Sequence, residues 1–212
     1  MAGKVNIVLF ENLIKDKLKR GLPGFESHQS MSPIDRPING IPNFDIENYR
    51  KSAVLICCYP HQNEVYTALI KRKAYQGVHS AQFSFPGGRY EDQDIHLEQT
   101  ALREAQEEVN IIPTEVNIIS TLTEVCIPVS NFIVYPFLST AQKRPNFIPD
   151  QTEVDFILEL PIDEILSTQN ITTSKVKMGN GLKAEVPCFK FNEHIVWGAT
   201  ALMLAEFKEL LR

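Results

Sequence analysis

The feature that most limits how this chain can fold is a pair of apolar, strand-forming runs five residues apart, AVLICCY at 53–59 and VYTALIK at 65–71. Runs of this length and spacing pair as a hairpin, with the turn at 60–64. Gly87 and Gly88 break the pattern after Phe85 and Pro86. A polar loop then leads to Leu97, Ala101, Leu102, Ala105 and Val109, which recur at helical spacing and end near Asn110 and Pro113. Strand-like runs resume at 116–123, 132–139 and 154–160, with weaker ones around Val176 and at 186–191. A last helix at 198–211 puts Leu202, Phe207, Leu210 and Leu211 on its apolar side, with Trp197 opening it as a packing residue. Before the hairpin, Val5, Leu9, Leu13 and Ile14 mark an amphipathic helix over 5–19, stopped by Gly21 and Pro23. Mixed strands with three helices predict a layered α/β domain.

The chain divides at about residue 50. Residues 22–44 are rich in Pro, Ser, Gly, Asn and His, which predicts an irregular arm, so 1–49 reads as helix plus arm and 50–212 as the domain. At 43% hydrophobic and 22% charged, the chain has the makeup of an ordinary globular protein. A net charge of -5 argues against a nucleic-acid backbone as partner. The four cysteines form no C-x-x-C pattern and read as reduced, buried thiols. No stretch is long enough to span a bilayer and no signal-like start opens the sequence, so a cytoplasmic protein without a membrane partner is expected. The N-terminal helix and arm could pack on a second copy, giving a homodimer.

The densest chemistry is LREAQEEVNI, in which Glu104, Glu107 and Glu108 stand at i, i+3 and i+4 of one helix. Three like charges repel one another and need solvent or a cation. A solvated helix face satisfies that need. So does a hard divalent ion such as Mg²⁺, which takes oxygen ligands and keeps waters and substrate phosphates in its shell. The preceding glycines favour the second use, because backbone without side chains can approach an ion or a phosphate closely.

From Gly88 the chain reads G-x5-D-x8-R-E-A-x-E-E-x-N-I. It resembles the Nudix hydrolases, whose signature is G-x5-E-x7-R-E-U-x-E-E-x-G-U with U aliphatic. Asp94 stands near the early glutamate, the loop is one residue longer, and Asn110 replaces the late glycine, a position Asn tolerates through the left-handed conformation. The longer loop resembles the coenzyme A pyrophosphatase branch, which carries an L-L-T-x-R-S-x3-R-x3-G-x3-F-P-G-G element upstream. Here that element reads LIKRKAYQGVHSAQFSFPGG, with FPGG at 85–88 and the aliphatic pair Leu69 and Ile70 in place. Lys73, Gly77 and Ala81 stand where the branch has its two arginines and its glycine. WGATALMLAEF at 197–207 is similar to that branch's closing helix.

The resemblance implies a Nudix-type α/β/α sandwich with a mixed β-sheet, and Mg²⁺- or Mn²⁺-dependent hydrolysis of the diphosphate of coenzyme A or its derivatives. Another nucleoside diphosphate derivative, such as ADP-ribose, is the alternative substrate. A non-catalytic nucleotide-binding module is a third reading, against which the intact glutamates argue. By resemblance Glu104 and Glu108 are metal ligands, and Glu107 serves a second ion or its water. A Gly87 or Gly88 carbonyl is a further ligand and Arg103 a brace for the carboxylates. Glu107 and Glu153 are both candidates for proton acceptor. Lys71, Arg72 and Lys73 form a basic cluster suited to substrate phosphates, although strand alternation sends Arg72 to the opposite face from the two lysines. His79 and Ser80 lie in the loop before FPGG, within geometric reach of a phosphate. Tyr59, Phe83 and Phe85 read as core.

Overall fold

A computed structural model describes residues 6–32, 49–73, 82–177 and 183–212. Strand β1 (Arg50–His61) is the spine, because both of its edges are used. One edge pairs in parallel with β7 (Phe132–Ala141), from Arg50 opposite Phe132 to Cys58 opposite Thr140. The other edge is divided. Ser52, Ala53 and Val54 pair with β4 (Gly87–Arg89), whereas Tyr59, Pro60 and His61 pair with β2 (Glu64–Arg72). The far side of β2 carries β8 (Val154–Pro161), and its end also meets β3 (Phe83–Ser84). Strands β5 (Val116–Thr121) and β6 (Val125–Ile127) complete a mixed eight-stranded sheet by pairing with β7.

The sequence of β1 is apolar throughout because both of its faces are covered. Ala53, Leu55, Cys57 and Tyr59 face α3 (Leu97–Val109), whose Ala101, Ala105 and Val109 pack in the same cluster. Val54, Ile56 and Cys58 face the opposite layer, formed by α5 (Ala199–Leu211) and α1 (Ile7–Leu18) with its buried Ile14. A smaller antiparallel sheet of β9 (Ile171–Lys177), β10 (Lys183–Phe191) and β11 (His194–Trp197) adds Phe189, Phe191 and Val196 to that second core. The result is an α/β/α sandwich. None of the four cysteines is in a disulfide. No helix among the described residues is long and apolar enough to cross a membrane.

Local structure departs from the sequence reading at four places. The hairpin turn is not 60–64 but only Gln62 and Asn63, at φ 47° and 66°, since a two-residue loop with both residues left-handed matches strand twist; Pro60 stays in β1. Gly87 and Gly88 do not end the sheet but form β4. Trp197 closes β11, and Gly198, at φ 66°, turns the chain into α5. Within the expected irregular arm, α2 (Phe25–His28) and a 3₁₀ turn at Gln29–Met31 are ordered. The cause is tertiary: fully buried Glu206 of α5 accepts the Gly24 amide at 3.2 Å and lies 3.2 Å from His28 Nε2. The same carboxylate also takes the Thr123 amide at 3.0 Å and the Thr123 hydroxyl at 2.6 Å.

Candidate active site

Helix α3 is anchored at both ends. The His96 ring accepts the Gln99 amide at its start, and Asn110 closes it in the left-handed conformation, φ 60° and ψ 36°. Its three glutamates do not share one environment. The Glu107 side chain is 59% exposed, Glu104 is 15% exposed and Glu108 only 2%. Glu104 and Glu108 are one turn apart and both reach β4, which lies beside α3 on the spine strand.

Glycines at 87 and 88 make that approach feasible. Gly87 has φ 154°, and a β-carbon there would collide with the Ala53 carbonyl and the Val54 backbone. Its amide donates to Glu108 Oε2 at 2.7 Å. A β-carbon on Gly88 would land on the Glu104 carboxylate. Arg72 donates to the other Glu108 oxygen at 3.2 Å, so that buried carboxylate is held at both oxygens.

Arg103 occupies the centre of a second network. Its Nε and Nη2 donate to the two oxygens of Asp94, each at 3.0 Å, while Nη1 reaches Glu104 at 3.0 Å and Glu107 at 3.1 Å. Nη2 also donates to the Arg89 carbonyl of β4 at 3.1 Å. Asp94 is itself buried and further accepts the Thr100 hydroxyl and the Glu91 amide. Its hydrogen bonds from Arg103, outweighing burial, hold its carboxyl down at about 2. The sequence reading does not count Asp94 among the site residues, although it stands near the early glutamate of the motif. Its work here is to hold the guanidinium that in turn holds Glu104 and Glu107.

The electrostatics of the other two carboxylates run the opposite way. Burial lifts Glu104 above its ordinary value, although Arg103 pulls it back. Burial also pushes Glu108 up to about 8, against the pull of Arg72 and the Gly87 amide, and the charges of Glu104 and Glu153 add to the shift. Burial thus disfavours the charged form of both carboxylates, even with an arginine on each. Among the described residues no three His, Cys, Asp or Glu side chains form a ready-made metal cage. Hard oxygen donors whose charge burial disfavours, with bare glycine backbone beside them, nonetheless fit a divalent cation.

Glu153 lies in the turn before β8. It is exposed, its carbonyl accepts the Lys73 amide at 2.9 Å, and its charge is felt by both Glu104 and Glu108. The basic cluster separates. The register shift in β2 between Lys71 and Arg72 accompanies Arg72 turning to Glu108. Lys71 instead sits 3.3 Å from Asp155 and over the Phe156 ring, and Lys73 Nζ donates to the Gln151 carbonyl. Tyr59, Phe83 and Phe85 are buried. His79 and Ser80, like Gly77 and Ala81, lie outside the described residues.

Residues 49–178 match the NUDIX domain family. An uncharacterized Nudix hydrolase, NudL, of Pectobacterium atrosepticum is 31% identical over 161 residues, covering 75% of this chain and 81% of that protein. A mitochondrial coenzyme A diphosphatase of Homo sapiens is 31% identical over 136 residues, covering 64% of this chain and 58% of that protein. The crystal structure of a MutT/nudix family protein from Enterococcus faecalis covers 88% of this chain and 73% of its own, with a TM-score of 0.54 at 10% identity. That last likeness is one of fold.

Proposed function

The chain belongs to the Nudix hydrolase family, and from that premise we propose that it hydrolyses the diphosphate bond of coenzyme A or a close derivative. At the coarser level it is a Nudix hydrolase of a nucleoside diphosphate derivative. The observation that carries the reading is the seating of Glu104 and Glu108 against Gly88 and Gly87, which gathers hard oxygen donors and open backbone at one place. The coenzyme A assignment is supported by the FPGG element at 85–88 and by the likeness to the human mitochondrial enzyme.

Members of this family generally depend on a divalent metal. Mg²⁺ or Mn²⁺, when bound, would neutralise phosphoryl charge and lower the pKa of a water. Glu104 and Glu108 would hold it, with Glu107 serving a second ion or its water and a Gly87 or Gly88 carbonyl as a further ligand. Arg103 keeps these carboxylates in place by gripping Glu104 and Glu107 from an Asp94 base. Of the basic cluster, Arg72, beside Glu108, would reach the substrate phosphates, whereas Lys71 and Lys73 are turned to Asp155 and to the Gln151 carbonyl. Glu153, exposed in the turn before β8 and with its charge felt by both Glu104 and Glu108, would accept the proton of the attacking water; Glu107 is the alternative acceptor. Water oxygen bonds to one phosphorus as the bond from that phosphorus to the bridging oxygen breaks. The products are a 4′-phosphopantetheine-type monoester and adenosine 3′,5′-bisphosphate. A cytoplasmic setting belongs to the same proposal.

Product analysis with coenzyme A, its 3′-dephospho form and ADP-ribose, each with Mg²⁺ and with Mn²⁺, tests this reading. Coenzyme A should be preferred over the dephospho form by on the order of 10- to 100-fold, since a lost charge-assisted pair costs about 1.5–3 kcal/mol. Preference for ADP-ribose would move the assignment to another nucleoside diphosphate derivative. Binding without turnover of any of them would mark a sensor module.

A further inference from the structure

Asn110 does something that a glycine in its place could not. Its backbone supplies the left-handed closure of α3, with its amide donating back to Gln106 and the Ile111 amide to Ala105. Its side chain then adds a bond outward, Nδ2 to the carbonyl of Asn146 at 2.9 Å. The segment that follows Asn146 runs along the last turn of the helix. The Ile148 amide donates to the Val109 carbonyl at 3.2 Å and the Asp150 amide to the Glu108 carbonyl at 2.8 Å. Three consecutive helix residues, 108 to 110, are therefore each bonded to this one segment.

Asp150 passes the constraint on. Its side chain accepts both the amide and the hydroxyl of Thr152 at 2.6 Å, and its carbonyl accepts the amides of Glu153 at 3.3 Å and Val154 at 2.9 Å. From Asn110 to Glu153 the chain of contacts is short and made of directional bonds. We propose that Asn110 is a positioning residue: it fixes the Glu153 turn against the carboxylate end of α3, so that the distance from Glu153 to Glu104 and Glu108 is set from the helix terminus. This rests on the reading of Glu153 as proton acceptor. Placing such a group within a fraction of an ångström matters because near-attack geometry contributes strongly to rate.

The test is a double-mutant cycle between Asn110→Gly and Glu153→Gln, with amide hydrogen exchange on the same proteins. Glycine takes the left-handed conformation freely, so Asn110→Gly keeps the helix closure and removes only the side-chain bond. Exchange of the Ile148 and Asp150 amides should accelerate about tenfold, while kcat falls by roughly 5- to 10-fold and KM for the diphosphate substrate stays within about twofold. Asn110→Asp, which keeps the shape but cannot donate to a carbonyl, should behave like Asn110→Gly. In the Glu153→Gln background, Asn110→Gly should cause no further loss of kcat. Unchanged kcat in Asn110→Gly, or losses that multiply in the double variant, would overturn the proposal. Wild-type kcat in Glu153→Gln alone would show instead that the proton-acceptor reading has failed, taking the positioning role with it.

Discussion

The Glu104 carboxylate sits where a β-carbon on Gly88 would be, so it keeps its place against β4 only while residue 88 has no side chain. Gly88→Ala must therefore push Glu104 aside. Because misplacement by about 1 Å costs on the order of 100-fold in rate, kcat should fall by about that factor. Steady-state kinetics with a thermal melt checks it. A variant with full activity would mean that Glu104 is not where the reaction needs it.

Glu108→Gln separates the function of a buried carboxylate from its stability. Glutamine keeps an oxygen for the Gly87 amide and gives up the Arg72 ion pair, but it removes a charge that burial disfavours more than that pair restores, so the metal-free Tm should be retained or raised. Diphosphate hydrolysis should nevertheless fall by orders of magnitude. Glu107→Gln, at a largely exposed side chain, should leave Tm unchanged and also impair turnover. Near-normal turnover of Glu108→Gln at ordinary Mg²⁺ would remove α3 from the metal site.

Arg103→Lys keeps the charge and loses the fork. An ammonium cannot span both Asp94 oxygens and also reach Glu104, Glu107 and the Arg89 carbonyl. Turnover should drop on the order of 10- to 100-fold, as for other groups that orient a metal site's ligands. Stability should fall by about 1–3 kcal/mol in urea melts, as buried Asp94 loses part of its hydrogen bonding. Equal activity of the lysine variant would show that a point charge suffices.

Glu206 governs the acid stability of the opposite layer. Burial alone would raise its pKa, but hydrogen bonds from His28 and Thr123 outweigh that and hold it below its ordinary value of 4.5. A carboxyl with a depressed folded-state pKa contributes stability that is present above pH 4.5 and is lost as pH falls through the folded value. Glu206→Gln should destabilise the protein by about 3 kcal/mol at neutral pH, as expected for breaking a buried charged network. The gap between wild type and variant should narrow below pH 4.5. Melts across pH 3–7, a range chosen to bracket that ordinary carboxyl value, measure both effects, and a constant gap would contradict the assignment.

Local pattern accounts for much of this structure before any coordinates. The 3.6-residue rhythm from Leu97 to Val109 and the left-handed tolerance of Asn110 give α3 almost to the residue, and alternation anticipates that Arg72 parts from Lys71, though not the register shift between them. The sequence reading missed features that are made by partners far away. Glu206 and His28 stand 178 residues apart, and no periodicity in the arm announces that a carboxylate on the last helix will order α2. The β4 strand is equally hidden, because glycine has no strand propensity and only the Ala53 and Val54 backbone explains why it must be there. At the site, spacing put three glutamates on one helix but could not say that one would be exposed and one sealed under Gly87.

The divided edge of β1 has a consequence for what sets the spacing of the site. β2 and β4 hang from the same strand, so their separation is measured out by backbone rungs along β1. The Gly87 amide that binds Glu108 is therefore referenced to the backbone of β1 itself, opposite Val54. The molecule behaves as a ruler, and the seat of its buried carboxylate is engraved on it.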